Sequence, residues 1–295
     1  MSGREEKLRK ALERFRREIE KVFADGRAAE FLRFAARFRR YSFHNTMLIY
    51  LQRPDATWVA GLRTWNELGR RVRKGERGIV IFAPVLVRQR LTVSRDGEER
   101  EEEREVVVGF KAVRVFDVSQ TEGRPLPENP FALRALEGED EAGIFARLAG
   151  KSPLPIRFEP TLPAEGYLDP DAGEIVLGEH LSPAMRTKVL LHELSHYFAG
   201  HGSGEGGEEE RDMMEVVAEG AAFLAAEALG LDTSSYSLGY VAGWGRDFKK
   251  ILSAGRRIFE VAEKVLVLAE EESPAAAVPA FGQSRASGKN AFKVI

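Results

Sequence analysis

Residues 182–201 read Ser182-Pro183-Ala184-Met185-Arg186-Thr187-Lys188-Val189-Leu190-Leu191-His192-Glu193-Leu194-Ser195-His196-Tyr197-Phe198-Ala199-Gly200-His201. The stretch is punctuated as a helix at both ends. Ser182 is placed to accept from the free amides of the first turn, and Pro183 stands at the first helical position, where its missing N–H is no loss. Gly200 is the residue type that takes the left-handed conformation ending a helix. Val189, Leu190, Leu194, Tyr197 and Phe198 recur at helical spacing, so one face is buried. Into this apolar helix the sequence sets His192, Glu193 and His196. Positions i and i+4 share a face, so both imidazoles reach one cation. Glu193 lies about a hundred degrees round from His192, close enough to touch a water beside that cation without ligating it.

That is the His-Glu-x-x-His arrangement of zinc hydrolases, in which the Glu is the general base. The plain alternative is a pair of core histidines four apart. Buried His and Glu need partners, however, and one metal ion supplies a partner to both rings. The pattern predicts one Zn2+ per chain, with a third protein ligand and an open position for water. Three residues are candidates for that ligand: His201, Glu215 and Glu219. The two glutamates fall on a helix expected over 208–229, which opens with Glu208-Glu209-Glu210 at the positive end of its dipole and stops at Gly230. Glu215-Val216-Val217-Ala218-Glu219 puts both carboxylates on one face, one turn apart. Val216, Val217, Ala221, Ala222, Phe223 and Leu224 mark a packed helix, so neither carboxylate should be left without a partner.

Around this site the bulk numbers set limits. The 295 residues suffice for two domains, and there is no cysteine, which excludes disulfides, thiol nucleophiles and thiolate metal sites. No apolar run approaches the roughly 18 residues of a membrane span, and the N-terminus is charged, so a soluble cytoplasmic protein without a membrane partner is expected. The net charge of −2 hides an asymmetry. Residues 1–90 carry 22 Lys and Arg against 10 Asp and Glu, whereas the remainder carries 22 against 36. A basic N-terminal half joined to an acidic one points to an anionic partner for the former.

Residues 4–23 and 27–40 read as amphipathic helices, followed by a short helix that Ser42 caps and Arg53-Pro54 stops. Thr64 is the expected cap of a fourth helix holding Trp65 and Leu68. Five cations then crowd into eight residues, Arg70, Arg71, Arg73, Lys74 and Arg77, and read as a basic turn before a strand at 79–85. A second strand is expected at 106–117, with the charged residues 94–105 between them as a hairpin tip. A Pro-rich linker at 124–130 leads to a short helix at 140–149 and strands at 155–158 and 174–177. The second of these is expected to be the sheet edge on which an extended substrate docks. Helices near 237–252 and 255–272 close the chain before a flexible tail at 273–295. The fold class is α+β: N-terminal helices with a small antiparallel sheet, then a domain built on the metal helix.

Cations with aromatic residues nearby are the composition of a single-strand binder, the cations tracking phosphates and the rings stacking on bases. Here the chain resembles a known family. Tyr41-Ser42-Phe43-His44-Asn45, Gln52-Arg53-Pro54, Trp65 with Gly69-Arg70, and Val72-Arg73-Lys74-Gly75-Glu76-Arg77-Gly78-Ile79 are similar to the N-terminal domain of the ArdC-like antirestriction proteins. So are Phe116-Asp117-Val118-Ser119-Gln120-Thr121-Glu122-Gly123 and Tyr236-Ser237-Leu238-Gly239-Tyr240. The resemblance implies a single-stranded-DNA-binding domain over 1–128 and a zincin-like metallopeptidase domain over 129–272. Candidate DNA contacts are then Arg70, Arg71, Arg73, Lys74, Arg77, Asn45, Gln52 and Trp65. By similarity to ImmA/IrrE-type peptidases it also implies Glu215 as the metal ligand and Glu219 as the residue that orients a ligand histidine. The expected function is a single-stranded-DNA-binding zinc endopeptidase, protecting incoming DNA or cleaving a DNA-associated protein. The alternative is a strand-coating antirestriction protein in which the zinc site is structural or vestigial. Tyr167, His201, Tyr236 and Tyr240 are candidate oxyanion donors.

Overall fold

The computed structural model describes residues 16–126, 141–201, 208–231 and 248–269, with Arg39, Asp96, Gly97 and Pro163 excepted, together with Glu13. Residues 16–24 are helical and turn at Gly26, whose φ of 71° is left-handed. Helices α1 (Ala28–Ala36) and α2 (Phe43–Gln52) follow. Ser42 caps α2, its Oγ accepting the Asn45 N–H at 3.4 Å. Strand β1 (Val59–Gly61) runs directly into α3 (Leu62–Glu67), so the N-cap is Gly61, and Thr64, the expected cap, lies inside the helix. Next come β2 (Arg70–Val72), β3 (Ile79–Arg95), β4 (Glu98–Asp117), a 3-10 turn at Val118–Gln120 and β5 (Thr121–Gly123). The second half holds α4 (Glu141–Gly150), β6 (Ile156–Glu159), β7 (Gly166–Asp169), β8 (Glu174–Gly178), α5 (Pro183–Ala199), α6 (Glu208–Ala228) and α7 (Phe248–Ala269).

Several expectations give way. Of the stretch 94–105 expected as a hairpin tip, residues 94–95 and 98–105 belong to paired strands, with Arg95 opposite Glu98 and, further along, Arg88 opposite Glu105. Arg88 reaches Glu105 across the ribbon at 3.8 Å, and opposite charges facing each other favour such a register. Helix α7 runs unbroken where two helices were expected, because Ile251, Ala254, Ile258, Val261, Val265 and Leu266 keep one buried helical stripe across residues 253–254. Most of the linker at 124–130, the Tyr236–Tyr240 segment and the tail at 273–295 lie outside the described residues.

By its contacts the chain forms two compact units. One unit joins the chain up to Trp58 with Pro125–Glu272, and the other is built on Val59–Arg124. In the first, α1 packs on α6, and α2 on α7. Phe31 stands edge-on to Phe43, with centroids 5.6 Å apart, and Phe43 edge-on to Phe259 at 5.5 Å. The Phe43 ring fills the space over Gly255, where a Cβ would overlap it. Arg33 reaches Glu227 at 3.2 Å, a second tie between α1 and α6. Helix α6 also packs on α5 and α7. Its Gly220 admits Ile258, whose Cδ1 lies 2.5 Å from where a Cβ would stand.

Beside α5 lies a mixed sheet of order β6-β8-β7, with β8 parallel to β6 and antiparallel to β7. Ile175, Val176 and Leu177 are all fully buried, as a central strand covered on both faces requires. The stretch 174–177 is therefore the middle of this sheet, and β7 is the edge on its side. Gly166 lets β7 approach α5 closely, since a Cβ there would meet Val189 Cγ1 at 2.5 Å.

In the second unit β3 and β4 form a long antiparallel ribbon, extended by β1. Ile79, Ile81 and Val115 face inward with the wholly enclosed Trp65, whose indole N–H donates to the Phe116 carbonyl at 2.9 Å. Asp117 and Gln120 make a reciprocal capping box over the 3-10 turn. Among the described residues no helix is long and apolar enough to cross a membrane.

Candidate metal centre

The local sequence builds α5 as its punctuation predicts. Ser182 Oγ accepts the Met185 N–H at 3.3 Å, Pro183 occupies the first turn, and Gly200 takes φ 73°. Val189, Leu190, Leu191 and Leu194 bury one side, and the Ser195 hydroxyl, fully buried, donates to the Leu191 carbonyl at 2.7 Å. The helix end is held from α7, where Arg257 donates to the Ala199 carbonyl at 2.7 Å and Lys264 to that of Phe198 at 3.2 Å. Cations at a helix C-terminus also suit its dipole. Helix α6 lies alongside with Val216, Val217, Ala218, Ala221 and Ala222 buried, which turns Glu215 and Glu219 towards α5.

The two helices bring three donors to one point. His192 Nε2 and His196 Nε2 are 3.1 Å apart, and the Glu215 carboxylate lies 3.6 Å from the first and 3.5 Å from the second. These three residues are the group, among the described ones, whose donor atoms all fall within 4.8 Å of one another. A tetrahedral zinc with bonds of about 2.0–2.1 Å holds its donors about 3.3 Å apart, so the spacing fits such an ion. The chemistry of the set fits as well, since two ring nitrogens and a carboxylate are ligands of borderline divalent cations.

A second layer fixes the rings. Glu219 Oε2 is 3.2 Å from His192 Nδ1, which assigns the proton to Nδ1 and leaves the Nε2 lone pair inward. His196 Nδ1 meets His201 Nδ1 at 3.0 Å. Glu193 stands outside the donor triangle and is only 7% exposed. Its carboxyl pKa is pushed up by burial, against the opposing pull of His192, His196 and the Leu168 backbone amide. For His192 burial draws the pKa down, but the Glu219 bond and the charges of Glu193, Glu219 and Glu215 outweigh it, and the net shift is upward. Glu215 is held below the usual carboxylate range, chiefly by its bond to His196. Burial, with His196 and Arg257 nearby, brings His201 down to about 4, so the ring is neutral near pH 7.

The structure thus brings His192, Glu193, His196, Glu215 and Glu219 to one place. Two features of the site were missed in the sequence. One is the Leu168 amide on the β7 edge, bonded to Glu193; the other is the His201 contact to His196. Of the oxyanion candidates, Tyr167 is on β7 and partly exposed, and Tyr236 and Tyr240 are outside the described residues.

The candidate DNA contacts fall on both units. Trp65 has no exposed ring face and therefore stacks on no base, which corrects that expectation. Nor is the basic stretch simply a turn, because Arg70–Val72 is strand β2, paired to β5. Arg70 donates to Thr121 Oγ1, the Thr121 carbonyl and the Arg124 carbonyl; Arg71 pairs with Glu122; Arg73 holds Glu76 and the Ser119 carbonyl. Lys74 and Arg77 project as exposed cations. Asn45 and Gln52 lie on α2 in the other unit, where Gln52 donates to the Leu48 carbonyl.

Two family models match this chain. The N-terminal domain of anti-restriction factor ArdC matches residues 4–116, and the IrrE N-terminal-like domain of the M78 peptidase family matches residues 150–236, which hold the whole donor set. The N-terminal part of the chain thus resembles that of ArdC, and the part from residue 150 resembles the M78 peptidases. An uncharacterized protein of Bacillus anthracis is 25% identical over 274 residues, 79% of this chain and 46% of that one. The chain thus spans about half the length of this curated relative. Among solved structures, the Mn(II)-bound antirestriction ArdC protein from R388 plasmid is 21% identical, with a TM-score of 0.50 over 78% of this chain and 85% of that one. The metal-free form of that protein gives a TM-score of 0.48 at the same identity, over 76% and 84%. At this identity the likeness is one of fold.

Proposed function

We propose that this ArdC-like chain is a zinc-dependent endopeptidase of the cytoplasm that acts on protein met on single-stranded DNA. The observation that carries the proposal is Glu193, a nearly enclosed carboxylate beside a two-His, one-Glu donor set that it does not join. A structural metal site has no use for such a base. His192, His196 and Glu215 hold one ion per chain, and Glu219 orients His192. When bound, zinc supplies Lewis acidity, which brings the pKa of water towards about 7 and polarises a carbonyl. Glu193 takes the proton from the attacking water and passes it to the leaving amine. Its raised pKa suits that exchange. The Leu168 amide keeps the carboxylate turned to the site, and β7, an edge of its sheet among the described residues, offers its remaining backbone groups to an extended substrate.

The second unit binds the DNA. Support comes from the basic N-terminal half, from exposed Lys74 and Arg77, and from the match to the ArdC N-terminal domain. With Trp65 enclosed, base stacking falls to the exposed rings of Phe82 and Phe110 on the β3–β4 ribbon. Protection of incoming DNA from restriction is the biological role this reading favours.

The test is Glu193→Gln in the full chain, loaded with Zn(II). The variant should keep its metal and lose proteolysis by at least about a hundredfold, since general-base catalysis contributes on that scale. Used as a trap with and without single-stranded DNA, it should retain uncleaved protein that the wild type releases as fragments. Equal activity in every assay would leave the strand-coating reading in its place.

A further inference from the structure

We propose that His201 is the positioning residue for His196, holding one metal ligand through a neutral imidazole while Glu219 holds the other through a carboxylate. The inference rests on the metal-site reading above and adds a residue to it. The argument starts from the helix end. Gly200 at φ 73° reverses the chain, and the His201 backbone N–H returns to the His196 carbonyl at 3.1 Å, with Gly200 N–H on Tyr197 at 3.0 Å. That is the paired bonding by which a left-handed glycine closes a helix. The same reversal lays the His201 ring against His196, centroids 5.2 Å apart at 66°, with Nδ1 to Nδ1 at 3.0 Å. One residue therefore binds His196 twice, by backbone and by ring.

The tautomers follow from which nitrogen faces the donor set. His196 Nε2 faces His192 Nε2 and Glu215, so it must offer a lone pair there, and its proton belongs on Nδ1. His201 Nδ1 must then accept that proton's hydrogen bond and carry its own proton on Nε2. His201 is thus bound to its role by hydrogen-bond bookkeeping rather than by reach to the metal. The two ligand rings differ in consequence. A carboxylate partner raises the basicity of His192 more than a neutral ring raises that of His196. Cap and ligand are also coupled, because whatever moves Gly200 out of the left-handed region moves the His201 ring.

The test measures Zn(II) affinity of the full chain by chelator competition, for wild type, His201→Ala and His201→Gln. Loss of an orienting partner should weaken affinity about ten- to a hundredfold in His201→Ala. His201→Gln, whose amide oxygen can accept the same bond, should recover most of it. Imidazole nitrogen NMR of the zinc-loaded wild type should show His196 protonated at Nδ1 with slow exchange, a signal that His201→Ala loses. Equal affinity and an unchanged Nδ1 signal in both variants would overturn the inference while leaving the metal site standing. A wild type that binds no zinc would overturn both.

Discussion

Replacing Glu219 by Ala should weaken the metal site without touching a ligand. The carboxylate lies 3.2 Å from His192 Nδ1 and its side chain is only 15% exposed, so solvent screens the bond little. A hydrogen bond with one charged partner is worth about 1.5–3 kcal/mol net, and at about 1.4 kcal/mol per tenfold its loss predicts a ten- to hundredfold fall in zinc affinity. Glu219→Gln keeps an acceptor and loses the charge, so it should fall between wild type and Glu219→Ala. One effect runs the other way. Glu219 raises the His192 pKa, so its removal also eases the competition of protons for that ring. Affinity should therefore be measured by chelator competition at about pH 8, on the alkaline side of the ordinary imidazole range, where protons compete less for the ring. The gap between wild type and variant should narrow on the acid side. Unchanged affinity at pH 8, with the fold intact by circular dichroism, would refute the reasoning.

Two further predictions concern other regions. Lys74→Glu with Arg77→Glu should weaken single-stranded-DNA binding for all sequences and lower the slope of log affinity against log salt, by about one for each cation that meets a phosphate. An unchanged slope would place the DNA elsewhere. Burial, with Arg256 nearby, holds the His44 pKa below 6.5, so the unfolded chain takes up that proton more readily than the folded one. Stability from this group is complete above 6.5 and falls as pH drops below it. His44→Gln should flatten that part of the profile, and parallel melting profiles from pH 8 to 5 would contradict the assignment.

The metal helix was legible because its signals are local: a cap, a left-handed stop and a four-residue spacing between histidines. Glu215 and Glu219 were legible for a related reason, since apolar flanks on a packed helix leave a carboxylate pair in need of a partner. What failed required knowledge of neighbours. A helical aromatic such as Trp65 reads alike whether its ring is enclosed or offered to a ligand. The cations of 70–77 are visible as composition, but a guanidinium bound to backbone carbonyls, as at Arg70 and Arg73, leaves no trace in sequence. The stripes of α1 and α2 state that a face is buried without stating that α6 and α7 bury it. Strand β7 is four residues between a proline-bearing stretch and a turn, too short to alternate, so the sequence points to the more apolar β8 as the edge.

The central claim is that α5 and α6 together make one metal centre. Titration of metal-stripped full-length protein with Zn(II) tests it most directly, with His196→Ala and Glu215→Ala beside the wild type. The account predicts about one ion per chain for the wild type and affinity reduced at least about a hundredfold in His196→Ala and Glu215→Ala, each lacking one of three ligands. A wild type that takes up no zinc, or variants that bind it equally well, would contradict the account.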